Sequence, residues 1–394
     1  MTCRNSLLIV IVLLFGATGC RTKPQQIYDR QLLPGQTALR KITNPAEIPD
    51  FTTACSNLTD LKKAITNSLD YLSKPSSNGF FPCGEITHAR AVASLRAFNE
   101  LLDSGLAGSR LNAAIRSKFD VYISVGCDDE GTVLFTGYYT PIFDGSPVRT
   151  ERFQYPLYRQ PDDLVKGLNG AILGQRGPDG QIRQYPSRAE IESSGMLKGN
   201  ELIWLGNPFE VYIAHVQGSA KIKTPDGQLI TVGYAANNGH EYCRIDKELI
   251  KDGKIARNQM SLAAMIDFFK THLDEVNKYT RQNPRYVFFR IEQGQPRGSL
   301  NAPVIPMRTI ATDKSIFPRA CLAYISTPLP QTTDSQIAKR SHRVFVLDQD
   351  TGGAIRAAGR CDIYMGQGPA AGKLAGQTYQ EGRLYYLLLK PGLR

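Results

Sequence analysis

The sequence predicts a mainly β protein with a helical N-terminal region. Apolar residues recur at helical spacing in three segments between Leu58 and Phe119, as in helices that bury one face. From Val121 onward, apolar and polar residues alternate with a period of two, which is typical of β-strands. The middle third is rich in turn-forming sequences, including Asp179-Gly180, Pro225-Asp226-Gly227 and Asn238-Gly239. Short strands separated by turns favour a barrel or a sandwich over alternating strand and helix units.

The N terminus has the features of a lipoprotein signal. Arg4 precedes an apolar run over residues 7–15, and small residues then lead into Cys20. The apolar run is too short to span a bilayer comfortably. The pattern resembles the lipobox of bacterial lipoproteins, which implies a signal peptide over residues 1–19 and acylation of Cys20. Because Arg21 rather than aspartate follows, we expect an outer-membrane lipid anchor facing the periplasm, with plain secretion as the alternative.

The elements follow in order after a proline-containing segment, residues 20–50, which we interpret as a tether. The first helix is predicted behind Ser56 or Asn57 as its cap. The three helical segments span residues 58–72, 92–102 and 111–119. The strongest strand patterns lie at 121–125, 132–141, 286–290 and 384–389, with one helical pattern at 262–273. The helical stripes are interpreted as core faces without chemistry.

Composition limits the class of protein. A chain of 394 residues with 42% hydrophobic content allows two or three domains. The net charge of +11 favours acidic partners, but no run of five or six basic residues indicates nucleic-acid binding. Six cysteines follow Cys20 without metal-ligand spacing, so in an oxidising compartment we expect at most one or two disulfides.

Acidic residues follow two apolar runs near the C terminus. The run ending at Leu347 leads into Asp348 and Asp350, and a second run carries Asp362 towards Gly366-Gln367-Gly368. Loops at strand ends often carry catalytic groups because the sheet fixes them while substrate can still reach them. The alternative is that these residues only form turns. At this point both interpretations remain open.

Several kinds of catalytic or binding site are not supported, because the sequence lacks their motifs or spacings. The five histidines lie in no serine or cysteine nucleophile motif and no zinc motif, and His215 is interpreted as a packed strand residue. The segment 366–373 fits neither a dinucleotide fingerprint nor a phosphate loop. A calcium site at Asp348, Asp350 and Asp362 lacks the usual ligand pattern.

The remaining chemistry is that of carboxylates beside aromatic and amide-bearing strands, a combination that suits a sugar polymer. The candidate aromatic residues are Tyr138, Tyr139, Trp204 and Tyr234. Gln217-Gly218-Ser219 supplies amide and hydroxyl partners in one turn.

Several ordered motifs together resemble the MltA-type membrane-bound lytic murein transglycosylases. They are Phe135-Thr136-Gly137-Tyr138-Tyr139-Thr140-Pro141, His215-Val216-Gln217-Gly218-Ser219-Ala220, Gly233-Tyr234-Ala235, Asn238-Gly239-His240-Glu241-Tyr242, Ala311-Thr312-Asp313 and the C-terminal acidic segment. The resemblance implies a double-psi β-barrel built from residues 51–143 and 293–394, with a second β-barrel domain, residues 144–292, inserted between them. It further implies cleavage of the β-1,4 bond between N-acetylmuramic acid and N-acetylglucosamine without water, leaving 1,6-anhydromuramoyl ends.

The resemblance also assigns roles to residues. Asp362 would be the catalytic acid and then base, and Asp313 and Asp350 would be supporting acids. Asp348 is then interpreted as a turn residue, and Gly366-Gln367-Gly368 as a tight turn under the groove. The implied substrate contacts are Thr136, Tyr138, Tyr139, Gln217, Gly218 and Ser219. Such an acid must be protonated at working pH, so we expect burial and neighbouring acids to raise the pKa of Asp362.

The implied partners are peptidoglycan glycan strands and outer-membrane lipid through acylated Cys20, with cell-wall synthases as candidates. Neither metal nor cofactor is expected. Alternatives are a non-catalytic peptidoglycan-binding scaffold, an aspartic protease, and a hydrolase if Asp350 lies about 5 to 9 Å from Asp362.

Overall fold

The computed structural model describes residues 26–167, 170–333 and 336–393. The predicted signal peptide and Cys20 lie outside these ranges. Within them, no helix combines the length and the apolar content that a bilayer crossing requires.

Strands outnumber helices in the described chain. The α-helices are α1 (Leu61–Leu72), α2 (His88–Asp103), α3 (Gly108–Lys118), α4 (Arg188–Ser194), α5 (Pro208–Gln217), α6 (Asp246–Lys251), α7 (Leu262–Thr271), α8 (Val276–Thr280) and α9 (Gly368–Gln377). The first nine strands are β1 (Leu39–Lys41), β2 (Phe119–Ser124), β3 (Val133–Thr140), β4 (Ile142–Ser146), β5 (Tyr155–Tyr158), β6 (Leu164–Lys166), β7 (Ile172–Arg176), β8 (Ile182–Arg183) and β9 (Glu201–Leu205). The others are β10 (Ser219–Lys223), β11 (Leu229–Asn237), β12 (Val287–Glu292), β13 (Thr309–Ala311), β14 (Leu322–Thr333), β15 (Gln336–Asp350), β16 (Arg360–Gln367) and β17 (Tyr379–Leu389). The prediction of a mainly β fold with N-terminal helices is confirmed.

The first barrel joins one strand from the N-terminal half to five strands from the C-terminal segment. Its sheet has the order β1-β2-β17-β14-β15-β13-β16-β3, and β3 also pairs with β17, which closes six strands into a barrel. The pairs β3–β16 and β13–β15 are parallel. Helices α1 and α2 cover the outside, where Phe98 packs against Phe119 and Phe345 with ring centroids 5.7 and 5.1 Å apart.

The second barrel is formed by the middle of the chain. Its six strands have the order β12-β11-β10-β4-β9-β5, and a bridge between Arg159 and Phe289 brings the two edge strands together. Leu157, Ile203 and Val232 fill its interior. Helices α5, α7 and α8 pack beside it around Phe269, and β6, β7 and β8 form a separate small sheet.

The predicted tether is wrong for residues 26–50. Strand β1 pairs with β2, Ala38 and Ile42 are buried, and Arg30 forms a 2.7 Å ion pair with Asp129. The prolines suggested an extended linker, but the apolar residues between them pack on the barrel. The first helix begins at Leu61 rather than behind Ser56 or Asn57.

The middle of the chain holds helices that the sequence pattern did not reveal, and α5 carries His215. Placing His215 in a strand was therefore wrong, although it is buried as expected. Helix α5 begins after Asn207, whose Oδ1 accepts a hydrogen bond from the Phe209 backbone N at 2.8 Å, and Pro208 occupies its first turn. It ends before Gly218, which lies in the left-handed region with φ of 74°. The aromatic and β-branched residues between Asn207 and Gly218 resembled a strand.

The cysteines do not pair. Cys55, Cys83, Cys127, Cys243, Cys321 and Cys361 are all free thiols, and four of them are buried. In the part of the chain that the structure describes, the number of disulfides therefore lies within the expected limit of at most one or two.

Candidate active site

A cavity of about 480 Å³ lies between the two barrels. The first barrel lines it with Asp350, Asp362 and Tyr364, together with Tyr138 and Thr140 of β3. The inserted barrel contributes the end of α5 and parts of β11 and β12, including His215, Gln217, Gly218, Ser219, Tyr234 and Arg285. Two structural units thus enclose a cleft of the size that small-molecule and sugar sites occupy.

Asp362 lies in β16, opposite Thr136 of β3 and Ala311 of β13. Its Oδ1 is shielded from solvent and has no hydrogen-bond partner in the described structure. Burial raises the pKa of Asp362 to about 7 and the nearby charge of Asp350 adds to this, whereas Arg360 and a hydrogen bond from Thr136 oppose it. About half of the Asp362 carboxyl groups are therefore protonated at neutral pH, and the rise in pKa has the expected direction and causes.

Asp350 ends β15, and both of its carboxylate oxygens are occupied. Oδ2 accepts from the Tyr138 hydroxyl at 2.8 Å, and Oδ1 accepts from the backbone N atoms of Ser299 and Thr351 at 2.8 Å each. Burial raises the pKa of Asp350, and these three donors oppose the rise. This carboxylate is thus held in place, whereas Asp362 has a free oxygen.

Asp313 does not line the cavity. Its Oδ1 accepts from the Ser315 backbone N and hydroxyl at 3.1 and 2.6 Å, and its Oδ2 accepts from the Ala357 backbone N at 3.0 Å. These bonds tie the end of β13 to the loop between β15 and β16. The structure therefore brings Asp350 and Asp362 together and leaves Asp313 as an anchor of the adjacent loop.

Asp348 is not the turn residue that the sequence indicated. It is fully buried within β15 and forms an ion pair with Lys314, whose side chain is 4% exposed. Its Oδ2 also accepts from the Thr312 hydroxyl and the Tyr386 hydroxyl at 2.7 Å each. Burial lowers the pKa of Lys314, and the charge of Asp348 opposes this. The ion pair and the hydrogen bonds together satisfy the buried Asp348 carboxylate.

Two of the predicted contact residues, Tyr138 and Tyr139, lie on opposite faces of β3. Tyr138 lines the cavity, but Tyr139 points to the other side of β3, where its ring packs against Gly372 of α9. Its backbone N donates to Gln217 Oε1 at 3.1 Å. Thr136 is absent from the cavity wall but hydrogen-bonds Asp362.

The other two aromatic candidates, Tyr234 and Trp204, lie in different places. Tyr234 lines the cavity, whereas Trp204 lies elsewhere on the inserted barrel beneath the guanidinium of Arg149.

The aromatic candidates did not include two tyrosines of the cavity, Tyr242 and Tyr364, and several cations of the cavity were also missed. Tyr364 donates to or accepts from the Thr140 hydroxyl at 2.9 Å and packs on Tyr138 with ring centroids 5.2 Å apart. Its signal was present, because a residue two positions after Asp362 on a strand shares its face. The missed arginines are Arg188, Arg285, Arg290, Arg297 and Arg356. They come from distant segments and carry no local motif.

Two family models match the chain. The MltA specific insert domain matches residues 134–290 and the 3D domain matches residues 308–388. The second match covers β13 to β17 of the first barrel. It confirms the double-psi β-barrel that the resemblance implied, beside the inserted barrel.

Named relatives and solved structures agree. Membrane-bound lytic murein transglycosylase A of Escherichia coli is 31% identical over 84% of this chain and 87% of its own length. Its Vibrio cholerae counterpart is 32% identical over 67% of this chain and 68% of its own length. A membrane-bound lytic murein transglycosylase from Agrobacterium tumefaciens matches with a TM-score of 0.73, 25% identity and coverage of 89% and 98%. Escherichia coli MltA with bound chitohexaose matches with a TM-score of 0.68, 26% identity and coverage of 93% and 98%. This chain belongs to the MltA family of peptidoglycan lytic transglycosylases.

Proposed function

We propose that this enzyme cleaves the β-1,4 bond between N-acetylmuramic acid and N-acetylglucosamine and leaves 1,6-anhydromuramoyl ends, with Asp362 as the single acid and base. The observation that carries the proposal is the asymmetry of the two cavity carboxyls. Asp362 has a free oxygen and a pKa of about 7, whereas both oxygens of Asp350 accept hydrogen bonds. One carboxyl is equipped to transfer protons and the other is not.

The reaction uses Asp362 twice. In the protonated form its carboxyl donates a proton to the glycosidic oxygen as the bond from that oxygen to muramoyl C1 breaks. The C6 hydroxyl oxygen of the same sugar then bonds to C1, and the Asp362 carboxylate accepts the proton that this hydroxyl loses. Atoms balance without water, and Asp362 ends protonated for the next cycle.

The state of Asp350 argues against a two-carboxylate hydrolase. Such an enzyme needs a second carboxylate, about 5 to 9 Å away, that can attack C1 or activate water. Three donors already hold Asp350. We assign it a supporting role, in which its charge adds to the effect of burial in raising the pKa of Asp362. Asp313 supports the same site indirectly, because it accepts a hydrogen bond from the Ala357 backbone N.

The glycan contacts follow from the end of α5. Gln217 Oε1 is fixed by the Tyr139 backbone N, so its amide Nε2 can donate to a sugar acetamido or hydroxyl oxygen. Gly218 turns the chain, and Ser219 lies 3.4 Å from the Thr140 hydroxyl. We propose direct contacts from Tyr138, Gln217, Gly218 and Ser219, and indirect roles for Thr136 and Tyr139. The bound chitohexaose of the Escherichia coli relative supports a glycan in this cleft.

We further propose that the enzyme is anchored to the outer membrane through acylated Cys20 and faces the periplasm. The motif around Cys20 and the membrane-bound description of the relatives support this. We keep residues 51–143 and 293–394 as the double-psi domain and residues 144–292 as the insert, which agrees with the single barrel formed by β4, β5 and β9 to β12. Mass spectrometry of the mature N terminus tests the anchor: a diacylglyceryl cysteine is expected, and an unmodified Cys20 would exclude it.

The rate of cleavage should fall above about pH 7. The acid step requires protonated Asp362, and its pKa lies at about 7, so the rate is level below that pH and falls about tenfold per pH unit above it. Initial rates on sacculi across the range measure this. In Asp350→Asn the break should move to lower pH, because the neighbouring charge that raises the pKa is lost. A level profile through about pH 9 would mean that another group supplies the proton.

Tyr138→Phe tests the hydrogen bond that holds Asp350. Losing the hydroxyl leaves Asp350 Oδ2 without its 2.8 Å donor, so unfolding free energy should drop by about 1–3 kcal/mol. Denaturant titration measures the change. Tyr155→Phe is the control, because Tyr155 is an exposed strand residue away from the cavity. Equal stability of the two variants would show that the Tyr138 hydroxyl does not support the site.

A further inference from the structure

The cavity carries more positive than negative charge. Five arginines line it, Arg188, Arg285, Arg290, Arg297 and Arg356, against the two carboxyls Asp350 and Asp362. The N-acetylated sugar rings and the bonds between them are neutral, so proton transfer at the glycosidic bond does not require this excess. The distribution of this positive charge indicates that it has a function separate from proton transfer.

Two of these arginines are neutralised by acidic neighbours. Arg188 forms a 3.1 Å ion pair with Glu192, and Arg290 forms a 2.8 Å ion pair with Glu292. A third is held without a carboxylate, since Arg297 donates to the Asn301 carbonyl at 2.7 Å.

Arg285 and Arg356 lack any acidic partner within ion-pair distance among the described residues. Arg285 precedes β12 on the inserted barrel, and its Nη1 donates to the His240 carbonyl at 3.0 Å. Arg356 lies on the loop between β15 and β16, and its side chain makes no hydrogen bond that the structure describes. Exposed Glu241 acts electrostatically on Arg285 but forms no ion pair with it.

Arg285 and Arg356 line the same cavity between the barrels. Their charges are close enough to repel each other, and Arg285 packs against Gly353, so near that a Cβ there would lie 3.1 Å from Arg285 Nε. Both are half-buried, where like charges without a counter-ion are unfavourable. An anion between them would relieve the repulsion.

We propose that Arg285 and Arg356 form a subsite for the carboxylate carried by the 3-O-substituent of the muramoyl sugar. The guanidinium fork matches a carboxylate and can bind it through two parallel hydrogen bonds. N-acetylglucosamine lacks such a substituent, whereas N-acetylmuramic acid carries a lactyl group whose carboxyl is either free or linked to a stem peptide with its own carboxylates. This subsite therefore distinguishes the two sugars and fixes which glycosidic bond reaches Asp362. The inference rests on the function proposed above.

Binding without turnover tests the subsite. In full-length protein carrying Asp362→Asn, dissociation constants are measured for chitohexaose, peptide-free muramoyl glycan strands and strands with stem peptides. Arg285→Gln and Arg356→Gln should each weaken binding of the carboxylate-bearing strands by about tenfold or more, while binding of chitohexaose stays unchanged. Arg356→Lys keeps the charge and should retain part of the affinity. Arg149→Gln removes an exposed charge outside the cavity and should change nothing.

The ligands distinguish the source of the carboxylate. Weakening confined to peptide-free strands assigns the site to the lactyl group, and weakening confined to peptide-bearing strands assigns it to the stem. Unchanged binding of all ligands, or equal weakening of chitohexaose, would overturn the proposal. The subsite and the reaction fail separately: if wild-type protein makes no anhydro ends but the arginine variants still lose affinity only for the carboxylate-bearing strands, the proposed function is wrong and the subsite stands.

Discussion

Asparagine in place of Asp362 is expected to slow the formation of anhydromuramoyl ends by about a thousandfold, within the range of general acid–base catalysis. The amide can neither donate the proton that the leaving oxygen needs nor accept the one from the C6 hydroxyl. Initial rates on purified sacculi measure the effect. The unfolding midpoint should not fall, because the introduced asparagine keeps the shape of a side chain whose Oδ1 already lacks a partner.

Asp350→Asn is the matched comparison. Its three donors make it a positioning residue, so we expect a smaller loss of rate and the shifted pH profile described above. A variant at Asp362 that retains activity within about tenfold of wild type would rule out its role as the acid. If Asp350→Asn abolished cleavage as completely as Asp362→Asn, the two-carboxylate hydrolase would regain support.

Lys314→Met is expected to lower the free energy of unfolding by about 3–5 kcal/mol, because it leaves a buried carboxylate without its cation. Asp348 is fully buried and Lys314 is 4% exposed on its side chain. Denaturant unfolding followed by circular dichroism measures the loss.

The double variant Lys314→Met with Asp348→Asn is the control. Removing both charges should recover much of the stability, since replacing a buried ion pair is often neutral. A loss of less than about 1 kcal/mol in the single variant would mean that water or another group compensates Asp348.

The sequence was informative where structure is local. Helices α1 to α3 carry apolar stripes at helical spacing, and β2, β3 and β12 show runs that alternate or stay apolar. The pairing of β3 with β16 joins residues far apart in the chain. Such closure depends on long-range packing and was supplied by the family resemblance rather than by local pattern.

Short helices were missed for a physical reason. In α9, Ala and Gly replace the apolar stripe, so no helical period appears, and the Gly366-Gln367-Gly368 segment is the passage from β16 into this helix rather than a tight turn. In α5, aromatic and β-branched residues favour strands locally, and packing of the inserted barrel overrides that preference.

The acids of the site show what apolar strand patterns can predict and what they cannot. Asp350 and Asp362 were found because they adjoin apolar runs, and the cavity brings them together. Asp348 was misjudged because β15 continues through it, and a register shift beside β13 separates its surroundings from those of Asp350. The partners that bury it, Lys314 and Tyr386, lie on other strands and segments.

Product analysis in water labelled with oxygen-18 tests the central claim most directly. Sacculi digested by the wild-type enzyme should give muramoyl ends that are lighter than reducing ends by one water and carry no label, because the C6 hydroxyl of the same sugar attacks C1. The same products should be nearly absent with Asp362→Asn. Reducing muramic acid with labelled oxygen at C1 would instead show that water is the nucleophile and would contradict the single-aspartate mechanism.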